Sequence, residues 1–188
     1  MSSVWMFVFL LIGVGIGCFL CKSIKDKYGT RPVWNMLLPI LLSAALCLRF
    51  HDPMMVIKGL IYSTILLWAA NTDIHTHHAS DCCSAMIAIS ALIGTEAKDL
   101  LVMLCGAVFC FLPQILVNII LPDRAVGGAD IKISTACGFL LGITRGAAGL
   151  IAGLVFSVIC SLITRKQKNE KLPLIPYLAA GFIPAYFI

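Results

Sequence analysis

Eight apolar runs, at 4–21, 33–48, 54–71, 82–95, 100–121, 131–144, 146–163 and 172–188, follow one another along the chain with only short polar connections between them. Runs of that length suit helices that cross a bilayer, because about 20 apolar residues span its hydrocarbon core. In lipid every backbone N–H and C=O must find a partner within the segment, and the helix provides that. The expected fold is therefore all-α, a polytopic membrane helix bundle of about eight transmembrane helices forming a single membrane-embedded domain over 1–188. The runs at 82–95 and 131–144 are short for a full crossing and are expected to reach into their flanking loops or to tilt little. Composition agrees: 60% of the residues are hydrophobic and 12% charged, against about a quarter charged in soluble domains. Mean hydropathy is +0.99.

The net charge of +5 does not point to nucleic acid. The basic residues gather at Lys22, Lys25, Lys27 and Arg31 and again at Arg165, Lys166, Lys168 and Lys171, between apolar runs and without interleaved aromatic stacking platforms. Such clusters mark cytoplasmic loops under the positive-inside rule. Alternation then puts the N-terminus outside and the connections at 22–32, 72–81, 122–130 and 164–171 in the cytoplasm. With Lys132, that side holds ten of the fourteen lysines and arginines. The first run lacks a preceding positive charge and an A-x-A-like cleavage site, so it is expected to stay as an anchor. The expected location is the plasma or inner membrane, multi-pass and surrounded by lipid.

Most of the nine cysteines lie inside apolar runs, where free cysteine packs as a small hydrophobe. Cys18 and Cys21 form a CxxC without a second pair, and adjacent Cys82 and Cys83 open another apolar run; packing is expected of both.

Acids are scarce here, nine in all, and two stand at cytoplasmic helix ends: Asp73 in "AANTDIHTHHASD" and Asp130 in "AVGGADIKIS". Carboxylates at membrane depth usually face a cavity or each other. Two at one depth on different helices can meet and share a proton, since like charges in contact do not both ionise cheaply. One carboxylate then activates water while one carboxylic acid protonates the carbonyl or leaving amine. The competing reading has each aspartate capping its helix or facing interfacial water. Gly127 and Gly128, lacking Cβ atoms, permit left-handed or strained backbone and close approach of a peptide substrate. Lys132 does not lie alongside Asp130 on a helix, because i and i+2 residues do not face each other, and is expected to snorkel to headgroups.

These motifs together are similar to those of the type IV prepilin peptidases, GxGD-type membrane aspartyl proteases that remove prepilin leader peptides. "GGADIK" resembles the GxGDxK signature: Gly127 matches the first glycine, Asp130 the catalytic aspartate and Lys132 the lysine, while Ala129 replaces the second glycine. "GVGIGCFL" (Gly13–Leu20) is similar to the opening helix of the family, Asp73 stands where the family keeps its first aspartate, and "KLPLIPYLAAGF" (Lys171–Phe182) resembles the closing segment through Pro176, Leu178 and Gly181. The resemblance implies that Asp73 and Asp130 are catalytic, with Gly127, Gly128 and Lys132 shaping the loop or binding substrate. It further implies prepilins or pseudopilins as substrates, an active site facing the cytoplasm, and no metal or organic cofactor. Two departures stand out. Ala79-Ser80-Asp81 occupies the place of the family's "IPN", adding a third acid. The insert with paired CxxC motifs that carries N-methyltransferase activity in bifunctional members is missing between the first two runs, so the resemblance is to a short, peptidase-only form.

The alternative is a non-enzymatic transporter or assembly subunit that binds a cation or relays protons through Asp73, Asp130 and the cluster His75, His77 and His78. Histidine and carboxylate suit zinc or iron, but the H-E-x-x-H pattern is absent. A serine protease is disfavoured because no G-x-S occurs and His51 lies at the wrong face of the membrane.

Overall fold

The computed structural model describes residues 3–29, 34–77, 79–120, 127–164 and 173–188. The connections at 30–33, 121–126 and 165–172 and His78 lie outside the described residues, and with them Arg31, Arg165, Lys166, Lys168 and Lys171. Within them the chain is helical: α1 (Ser3–Tyr28), α2 (Trp34–Arg49), α3 (Pro53–Thr76), α4 (Asp81–Ala91), a short 3-10 turn (Ala97–Asp99), α5 (Leu100–Ile120), α6 (Gly128–Thr164) and α7 (Ile175–Ala185). Four stretches are long and apolar enough to cross a membrane: Trp5–Tyr28, Pro53–Thr76, Ala97–Ile120 and Gly128–Ile163. Large apolar side chains point outward along them, Phe7, Leu101, Ile119 and Leu162 among them, as a lipid-embedded surface requires.

Helix boundaries depart from the sequence expectation where charge was taken to end a helix. Lys22, Lys25 and Lys27, placed in a loop by their charge, continue α1 to Tyr28. Nothing in that stretch breaks a helix until Gly29, whose φ of +71° supplies a left-handed C-terminal cap; its N–H closes the last turn on the Lys25 carbonyl at 2.8 Å. Likewise α3 runs through Asp73 to Thr76, and His77 at φ +52° ends it. Helix α4 stops at Ala91, short of the expected Thr95, where the chain turns through Gly94 at φ +63°.

The two runs expected at 131–144 and 146–163 are the two limbs of α6, which meet at a break at Gly142 (φ +75°, ψ −176°). The break falls at Gly142 rather than Arg145 because that backbone conformation is open essentially to glycine alone. A straight helix over Gly128–Ile163, 36 residues, would be about 54 Å long, well beyond the ~30 Å hydrocarbon core. At Gly142 the chain doubles back instead: a Cβ at Gly146 would lie 3.1 Å from the Cα of Gly138, whereas eight residues of straight helix advance about 12 Å.

The chain divides into two compact units, 1–68 and 69–188. In the first, α1 packs on α2 through small residues four apart. A Cβ at Gly17 would lie 2.8 Å from the Met36 carbonyl oxygen, and one at Gly13 would meet Ser43. This is the close backbone approach by which membrane helices gain van der Waals contact without a hydrophobic driving force, and it gives the "GVGIGCFL" motif a packing role. In the second unit α6 is the hub, meeting α4, α5 and α7. Gly106 of α5 and Gly138 of α6 bring the two backbones together, and Phe182 and Leu178 of α7 fill the space that Gly149 and Gly153 leave on α6. Among the described cysteines none is bridged. Cys18 is exposed and Cys21 half-buried, Cys82 exposed and Cys83 buried.

Candidate functional site

Asp73 lies near the C-terminal end of α3, in the part belonging to the second unit. Its side chain is buried, 5% exposed. An enclosed carboxylate needs donors, and one is the backbone amide of Ile175, 3.1 Å from Oδ2. Ile175 is the first residue of α7, where amides have no partner within the helix and where the helix dipole favours negative charge. Pro176 follows and has no amide to offer, while the amides of Tyr177 and Leu178 both return to the Leu174 carbonyl at 3.1 and 3.0 Å. The opening of α7 thus directs the Ile175 N–H onto Asp73.

Asp130 is the third residue of α6 and half-buried. The Gly127 backbone N–H donates to its carboxylate, the arrangement in which an acid at the third helical position reaches back to the capping residue. Ile131 N–H meanwhile closes on the Gly127 carbonyl at 3.2 Å. Oδ2 sits so close over Gly127 that a Cβ there would be 2.8 Å away. The structure brings Asp73 and Asp130 within electrostatic range of each other. Each is thus near the other and near the amide of a helix N-terminus.

The glycines act differently from expectation. Neither Gly127 nor Gly128 takes a left-handed conformation; the positive-φ glycines among the described residues are Gly29, Gly94 and Gly142. Gly127 is needed for room at Asp130, whereas a Cβ on Gly128 would meet nothing within 4 Å. Lys132 forms an ion pair with Asp81, Nζ to Oδ2 2.8 Å, both side chains more than half exposed. The pair occupies the third acid, Asp81, in the first turn of α4 after the Ser80 cap. Beside the pair an apolar groove of about 480 Å³ runs between α4, α5 and α6, lined by Ala88, Phe111, Ile131, Lys132, Thr135 and Phe139 among others. His75 is exposed in the last turn of α3 and His77 follows it. Among the described residues no group of three or more His, Cys, Asp or Glu side chains is placed to hold a metal ion.

Sequence reasoning missed the Ile175 amide, because a main-chain donor carries no residue signature. The available signal was Pro176 near the start of an apolar helix, a position where proline commonly opens helices.

Fold and site define a helical membrane protein that holds a pair of aspartates together in its second unit. No family model matches the chain, and no solved structure does. The chain is similar to the prepilin leader peptidase/N-methyltransferase of Bacillus subtilis (strain 168), 29% identical over 174 residues that cover 88% of this chain and 69% of that protein. That relationship bears out the resemblance read from the motifs: the chain is a relative of the prepilin peptidases.

Proposed function

We propose that the chain is a membrane aspartyl endopeptidase that removes the short basic leader from type IV prepilins or pseudopilins at the cytoplasmic membrane face. The observation that carries the reading is the proximity of Asp73 and Asp130, drawn from helices far apart in sequence and interacting electrostatically, in a relative of a prepilin leader peptidase. Two neighbouring carboxyls retain one proton between them, since ionising both is costly. The ionised member takes a proton from water as it attacks the scissile carbonyl, and the protonated member delivers one to the departing amine. The pair titrates as a unit, so the two roles belong to the pair. Neither step draws on a metal or organic cofactor.

A prepilin presents a basic leader followed by an apolar helix, and the apolar groove that begins at Ile131 and Lys132, next to Asp130, supports a substrate of that character. Gly127 keeps the Asp130 carboxylate in place, while Gly128 leaves open space over the backbone. The connection between α1 and α2 is short in sequence, which supports a peptidase-only form in which any methylation of the new N-terminus falls to another enzyme. Co-expression with a prepilin tests the reading. Wild type is expected to convert the precursor to the faster-migrating form, and Asp73→Asn and Asp130→Asn to leave it uncut at normal protein levels. A precursor that remains uncut with the wild type contradicts it.

A further inference from the structure

The C-terminal helix belongs to the candidate site, and this conclusion rests on reading Asp73 and Asp130 as the working pair. We infer that the backbone N–H of Ile175, at the first position of α7, is the positioning group of Asp73: it fixes the carboxylate oxygen Oδ2 and with it the orientation of the carboxyl that works with Asp130. Three observations converge. The bond from Ile175 N to Asp73 Oδ2 is buried and joins residues 102 apart in sequence, so it is a tertiary contact and no accident of local geometry. Both partners are enclosed, with Ile175 at 0% and Asp73 at 5% exposure, and a hydrogen bond to an ionised group is strongest where water is excluded. The start of α7 is also arranged around a single donor, since Pro176 has no N–H and the next two amides turn back to Leu174.

The body of α7 is anchored independently of that bond. Phe182 lies against Gly149 and Leu178 against Gly153, both on the limb of α6 that follows the break at Gly142. α7 is thereby held against the second limb of α6 while its first residue grips Asp73. The "IPYLAAGF" stretch (Ile175–Phe182) thus combines a donor, a helix start and a packing face.

Replacing Ile175 by its α-hydroxy acid turns the amide into an ester and removes the N–H while retaining the side chain; Ile175→Pro removes the N–H genetically but also trims a buried side chain and disfavours the helical backbone of Leu174, so the ester is the decisive variant. With purified protein and a prepilin, each change is expected to lower kcat by about 10- to 100-fold, the range for a hydrogen bond to a charged group, with KM unchanged. Phe182→Leu is the packing control: it should lower the melting temperature and leave the kcat of the folded protein intact. Full kcat in the ester variant overturns the inference, as does an equal kcat loss in Phe182→Leu. A substrate-free readout separates this inference from the peptidase reading. The 15N amide resonance of Ile175 is expected to move and exchange faster with solvent in Asp73→Ala, and to stay in place in Asp81→Ala. An Ile175 resonance indifferent to Asp73→Ala overturns the positioning role even if cleavage is robust; a wild type that cleaves nothing, with the resonance responding as stated, overturns the peptidase reading alone.

Discussion

Gly127→Ala isolates the geometry of Asp130 from its identity. A Cβ at Gly127 would lie 2.8 Å from Asp130 Oδ2, whereas relaxed non-bonded contact needs about 3.5 Å. The carboxylate must therefore retreat by roughly 0.7 Å or rotate away, and the obstructed atom is the end of a side chain that can move. Gly127 is exposed and does not need a left-handed backbone, so the fold should survive with a stability loss of about 1 kcal/mol or less, alanine being a poorer N-cap than glycine. Catalysis should not survive as well, because a misplacement approaching 1 Å at a reacting group costs up to about 100-fold. Gly128→Ala is the matched comparison, since its Cβ enters open space: any loss there reports substrate backbone passing over that position and appears in KM. The assay is leader cleavage by purified variants in detergent or bilayers, with melting temperatures measured alongside. The expected result is a kcat for Gly127→Ala lowered by about 10- to 100-fold with a melting temperature lowered by only a few degrees. Wild-type kcat in Gly127→Ala would refute the reasoning that the glycine holds the acid in register.

Other perturbations probe the scaffold. Gly142→Ala places a side chain at φ +75° with Val102 Cγ1 only 3.3 Å away; it should destabilise by about 1–3 kcal/mol, read by chemical unfolding in micelles. Breaking the exposed Lys132–Asp81 pair by either alanine should cost less than about 1 kcal/mol, with a double-mutant coupling that shrinks as salt is added. Gln114 is buried in α5, donates to Ser134 and to the Cys110 carbonyl, and keeps an unpartnered Oε1. Because Ser134 also bonds the Ile131 carbonyl, Gln114→Leu strands no donor and should shift the unfolding midpoint by about 1 kcal/mol or less in either direction. Chelation by EDTA should leave leader cleavage unchanged.

The helices were legible because apolar length is written in the sequence, and α2 and α5 fall within a residue or two of where the runs put them. Their ends were less so. Charge was read as solvent, yet the lysines of α1 extend past the apolar stretch on a continuing helix, and the true stop is the left-handed Gly29. The fold-back at Gly142 was similarly displaced to Arg145, since backbone dihedrals are set by how α5 and α6 cross and not by polarity. At the site, Asp73 and Asp130 stood out as rare acids in an apolar chain, and they lie within electrostatic range of each other. The partners of those acids did not stand out. Asp73 is gripped by a main-chain amide 102 residues away, and Lys132 is taken by Asp81 from α4; both depend on tertiary packing that one-dimensional spacing does not encode.

The central claim is that Asp73 and Asp130 act together on one peptide bond. The most direct measurement is mass-spectrometric timing of leader release from a prepilin reconstituted with purified protein, comparing wild type with Asp73→Asn and Asp130→Asn at matched folded concentrations. The account predicts that either single substitution slows release by at least about 100-fold, and that the double variant is little worse than either alone, because the pair acts as a unit. Release at the wild-type rate from either single variant would contradict it.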